Sequence, residues 1–93
     1  MKSQIENKIE GLIKELNLES EISLEDIKEI ILNEKDGNKE FNYLVSVFVS
    51  KILDIKRANE VAQIVSDAWN TFPHKSLGGL SPQKIIKKSK NSN

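Results

Sequence analysis

The chain has no cysteine, which excludes disulfide staples, thiolate metal ligands and a cysteine nucleophile. Such a composition fits a reducing compartment. Proline occurs twice and glycine four times, too little turn chemistry for an all-β fold with its many tight reversals. No charge of one sign is in excess, because 14 Lys and Arg balance 14 Asp and Glu. A neutral chain is not, as a whole, a polybasic binder of nucleic acid or of an anionic membrane. Long apolar runs are missing too: the most apolar stretch, Leu44 to Val49, is far below the ~20 residues that a membrane span needs. Glu6, Lys8 and Glu10 interrupt the N-terminus before a signal-type apolar segment can form. The expectation is a cytoplasmic protein with no membrane partner.

What remains is helical material, and 93 residues leave room for one domain. Ile5, Ile9, Leu12, Ile13 and Leu16 form one stripe of a 3.6-residue period, predicting a helix from about Lys2 to Leu16. Asn17 to Ile22 reads as a connector. Ser23 is placed to cap a second helix, with Asp26 at its third position and Leu24, Ile27, Ile30 and Ile31 as the buried stripe. Gly37 is the expected left-handed residue after that helix.

Residues 39–53 are rich in β-prone side chains, but Phe41, Leu44, Val45, Phe48, Val49, Ile52 and Leu53 fit a helical stripe without a gap. A strand register would mix apolar and polar residues on one face. The stripe of residues 41–53 points away from that of Val61, Ile64, Val65, Ala68, Trp69 and Phe72, so one straight helix cannot bury both. A break is therefore expected between Asp54 and Asn59, with Asn59 capping helix four. Pro73 stops that helix. Residues 74–80 form a loop, and Ser81-Pro82 starts a fifth helix that ends near Lys88.

The predicted fold is all-α, a compact array of four helices plus a short C-terminal helix. Residues 1–88 make one domain and residues 89–93 a frayed polar tail. Charge is segregated within it: residues 1–40 hold 11 acids and 6 bases, whereas residues 41–93 hold 3 acids and 8 bases. Five lysines and no acid follow Asn70.

Chemistry is harder to find. His74 is the sole histidine, so no His-based metal site can be completed, and neither metal nor cofactor is expected. A Ser-His-acid triad would have to recruit Ser76 or Ser81 with Asp54 or Asp67, outside any nucleophile-elbow context. Gly78-Gly79 lacks the Lys-Ser/Thr of a phosphate loop. An enzyme is not expected.

The most distinctive residues are 68–82, where Trp69-Asn70, Pro73-His74, Leu77-Gly78-Gly79-Leu80 and Ser81-Pro82 follow one another. This stretch resembles a tail of short uncharacterised bacterial proteins and the closing segment of SEC-C-type proteins. It is also similar to the end of the retroviral-integrase-like transposase core, with Phe72 where those transposases carry Arg. The SEC-C cysteines and the three separated metal-binding carboxylates of the transposases are absent. The resemblance implies a shared structural ending of helix, proline stop, glycine turn and Ser-Pro helix start. It transfers no activity.

Candidate binding residues are Trp69, Phe72, His74, Lys75, Lys84, Lys87 and Lys88, each with a bland alternative: core for the aromatics, a partly exposed loop residue or a local hydrogen-bonder for His74, a solvated end for the lysines. Residues 73–86 are expected to dock as a clasp through Leu77, Leu80, Ile85 and Ile86. Tyr43 and Val47, opposite the main stripe of helix three, mark a candidate dimer face. The leading functional expectation is a non-catalytic protein-interaction or assembly module, with a small homodimer as one form of it. The runner-up is a nucleic-acid-associated accessory protein, transposase-derived or similar, binding weakly through the basic C-terminal segment. A single arginine, Arg57, argues against a base-reading helix.

Overall fold

A computed structural model describes residues 2–91, with side chains up to residue 88. Among them five α-helices and no strand occur, as the periodicity predicts: α1 (Gln4–Glu15), α2 (Leu24–Leu32), α3 (Gly37–Val49), α4 (Ile55–Thr71) and α5 (Pro82–Asn91). The long helix α4 is the centre of the array and packs against α1, α3 and α5, while α2 leans on α1 and α3. None of these helices is long and apolar enough to cross a membrane.

Local chemistry explains most helix ends. Ser3 and Glu6 form a reciprocal capping box on α1, and Ser23 and Asp26 form another on α2. At the C-terminus of α1, Asn17 adopts a left-handed φ of 56°. The Asn17 amide donates to the Lys14 carbonyl and the Leu18 amide to the Ile13 carbonyl, the Schellman arrangement. Its apolar follower Leu18 is buried, and so is Ile22. The connector is thus part of the core.

Three expectations fail at the next two boundaries. Gly37 does not end α2 in a left-handed turn; it opens α3, capped by Asp36, whose carboxylate accepts from the Lys39 amide at 3.2 Å. The break between α3 and α4 lies at residues 50–54, upstream of its expected place, because Asp54 rather than Asn59 is the cap. Asp54 accepts from the Lys56 amide at 3.1 Å, and Asn59 sits exposed inside α4. Leu53 leaves the buried stripe as a result and is 98% exposed. The β-branched, serine-flanked end of α3 has weak helix propensity, so α3 stops early and α4 starts from Asp54, the earlier of two competent caps.

The core is one cluster centred on Ile9, Ile27, Ile31, Leu44, Phe48, Val61 and Val65. It is tied at one edge by Lys28 of α2, which donates to Glu6 Oε2 at 2.7 Å and lies 5.8 Å from the Phe72 ring centroid. Glu6 also accepts from the Ser3 amide at 3.0 Å. The Lys28 hydrogen bond first, then the Ser3 bonds, hold the Glu6 carboxyl down from 4.5 to about 2. A carboxyl lowered in the folded state takes up its proton more readily in the unfolded chain. Its stabilising effect is therefore complete above about pH 4.5 and is lost as pH falls through about 2. Glu6→Gln should cost about 1–2 kcal/mol at neutral pH, and the difference from wild type should vanish near pH 2 in urea titrations.

Candidate functional site

The segment after α4 turns back on itself around His74. Its amide donates to the Leu80 carbonyl at 3.0 Å, and the Gly79 amide donates to the His74 carbonyl at 2.8 Å. Gly78 and Gly79 sit at φ 68° and 83°, which a side chain would strain. Ser81 then caps α5, its hydroxyl accepting from the Lys84 amide at 3.1 Å, with Pro82 in the first helical position as expected.

Of the two expectations for His74 the local hydrogen-bonder holds and the partly exposed loop residue does not, since the side chain is 2% exposed. Its Nε2 lies 2.8 Å from the Trp69 carbonyl oxygen, which can only accept, so Nε2–H is the donor. That carbonyl is one of the last of α4 and has no partner within the helix. The imidazole thus closes the end of α4, edge-on to the Trp69 ring at 4.9 Å, and Trp69 in turn meets Phe41 edge-on at 5.5 Å. On the far side, Nδ1 stands 3.6 Å from Glu34 Oε1, and the Ser76 hydroxyl donates to the same oxygen at 2.5 Å. Serine, histidine and carboxylate do meet here, with Glu34 in the acid's place and not Asp54 or Asp67. The order is wrong for nucleophile activation: the carboxylate lies between Ser76 and His74, and Nε2 is taken by the backbone. Among the described residues no group of three His, Asp or Glu side chains is placed to hold a metal ion.

This geometry sorts the candidate residues. Phe72 is buried in the core and Trp69 is half-buried, with its outer edge lining a shallow polar groove beside Phe41 and Gly37. Lys75, Lys84, Lys87 and Lys88 are exposed and make no ion pair among the described residues; the side chain of Lys90 lies outside them. Val47 is half-buried against the core, whereas Tyr43 is exposed. The clasp exists, but not as four apolar anchors. Leu77 and Leu80 are only half-buried, and Ile85 and Ile86 stay 36% and 57% exposed. Polar groups, buried His74 and Ser81, do the closing instead. α5 also continues to Asn91, past the expected end at Lys88, and residues 92–93 of the expected tail lie outside the described residues.

No family model matches the chain, and neither a curated protein nor a solved structure matches it. The site is read from its own chemistry.

Sequence reasoning overlooked a second surface, a groove of about 610 Å3 between α2 and the start of α3. Ile30 and Tyr43 give it an apolar wall; Glu21, Asp26, Glu29 and Glu40 supply four acids, and no base lines it. Asp26, Glu29, Ile30 and Asn33 follow one another at i, i+3, i+4 and i+7, the face of α2 turned away from Ile27 and Ile31. One Glu40 carboxylate oxygen, Oε2, is buried in the fold without a hydrogen-bond partner. The acid-rich composition of residues 1–40 was visible in the sequence; its collection along one groove required the packing of α2 on α3.

Proposed function

We propose that this chain is a non-catalytic assembly module of the cytoplasm, acting through protein–protein contact and first of all with a second copy of itself. The observation that carries the reading is the pairing of large apolar side chains in solvent. Leu53 and Ile55 flank the cap of α4 at 98% and 78% exposure, and Ile85 and Ile86 stand together on α5. Single exposed apolar residues are ordinary, whereas clustered ones mark contact surfaces. Sedimentation equilibrium into the millimolar range tests this, with reversible self-association as the expected result. Tyr43→Glu should weaken association and leave the fold intact. Val47→Glu should instead destabilise the monomer, because it drives a charge against the core. A wild type that remains monomeric throughout removes the reading.

A second reading draws on the exposed lysines 75, 84, 87 and 88 as phosphate contacts. Arg57 adds nothing to it, since Glu15 holds its guanidinium with two hydrogen bonds of 2.7 and 2.8 Å and raises its pKa further. Four lysine contacts give a log–log salt slope of about −4 at most on duplex DNA, and no base selectivity. Tight, sequence-selective binding at moderate salt would put this reading first.

A further inference from the structure

We infer that the acidic groove between α2 and α3 receives α5 of a second copy of the chain, and that the contact is reciprocal, so that two copies close on each other. The inference rests on the assembly reading above and names its surfaces.

Three features of the groove describe its occupant. Four carboxylates and no base along an apolar wall call for a segment that is apolar on one side and cationic at its flanks. None of the acids is held in a strong ion pair among the described residues: Glu21 meets Lys51 at 3.3 Å in an exposed and weak pair, and Asp26 and Glu40 each accept from a backbone amide. The groove runs beside the nine residues of α2, a length of about 14 Å.

α5 has the matching description. It holds ten residues, about 15 Å of helix. Ile85 and Ile86 are exposed, and Lys84, Lys87 and Lys88 stand free around them. At 100° per residue Lys88 flanks Ile85 and Lys87 flanks Ile86, so a cation borders the apolar pair on each side. In its own chain α5 packs on α4, and its outward side is left without an apolar neighbour. The two surfaces belong to the oppositely charged parts of one neutral chain, −5 over residues 1–40 and +5 over residues 41–93. Two copies therefore approach without net repulsion, and each presents what the other lacks. Reciprocal use of one pair of surfaces is the isologous arrangement that closes at two subunits.

A charge exchange tests the contact. One variant carries Lys87→Glu and Lys88→Glu; the other carries Glu21→Lys and Glu29→Lys, which spares Asp26 and Glu40 because their carboxylates accept backbone hydrogen bonds. Circular dichroism should show both folded. In sedimentation equilibrium the wild type should form dimers, and each variant alone should self-associate at least about 30-fold more weakly. An equimolar mixture of the two should associate again, since acidic α5 then faces a groove carrying lysines and basic α5 an acidic one. A dimeric wild type whose association ignores both charge changes overturns this contact and leaves assembly to another face, such as Leu53 and Ile55. Variants that are monomeric alone and remain so when mixed also overturn it. A monomeric wild type overturns the contact and the assembly reading together.

Discussion

Phe48→Ala should unfold much of this protein's stability reserve. Phe48 is 1% exposed, on the face of α3 that meets the core cluster. Truncating a buried phenylalanine costs about 3–5 kcal/mol, the transfer energy of the ring plus the cavity left behind. A 93-residue domain has a total stability of roughly 5–14 kcal/mol, so one substitution removes a large part of it. The midpoint of thermal unfolding should drop by about 15 °C or more, measured by circular dichroism at 222 nm. Tyr43→Ala, five residues earlier and 55% exposed, is the matched control and should change stability by no more than about 0.5 kcal/mol. Equal effects at the two positions would mean that α3 is rotated from the orientation described.

The second large effect lies in the C-terminal clasp. Truncation after Phe72 removes the imidazole that satisfies the Trp69 carbonyl and strips α5 from α4. Trp69 emission should shift to the red, and the melting temperature should fall clearly. His74→Ala separates the polar account from an apolar one. It leaves the Trp69 carbonyl short of a donor and a void beside the indole, a cost of about 2–4 kcal/mol. Ile86→Ala, at 57% exposure, should lie within about 0.5 kcal/mol of wild type. If the isoleucine change destabilises more than the histidine change, the clasp is held by apolar contact after all.

The contrast between those two residues shows where reading a sequence reaches its limit. Isoleucines 85 and 86 read as buried anchors, and His74 as a partly exposed loop residue or a local hydrogen-bonder; in the structure the isoleucines are exposed and the histidine is buried. Hydropathy averages a residue type over its usual surroundings. His74 is buried because a specific carbonyl at the end of α4, five residues back, needs a donor there. Nothing in the spacing of residues 69 and 74 reports that the chain after Pro73 folds back at the required angle. The candidate site was legible to a similar degree. The lysines of α5 and Tyr43 were identifiable as surface residues, but the acidic groove needs residues from two helices and a connector at once.

Short-range physics was readable throughout. The stripes of α1 and α2, the capping box of Ser23 and Asp26, and the Ser81-Pro82 helix start all involve partners within four residues. At that distance backbone geometry alone brings the groups together. The need for a break between α3 and α4 was also readable, from the opposed directions of two stripes. Its position was not, because Asp54 and Asn59 are both competent caps. Packing of α3 and α4 on one another selects between them. The same holds for Leu18 and Ile22, which close the core from a connector, and for Leu53 and Ile55, which the corner turns outward. Which side of a helix is apolar follows from the order of its residues. Which of those apolar sides find a neighbour depends on contacts between residues far apart in the chain, and these form only when the helices pack.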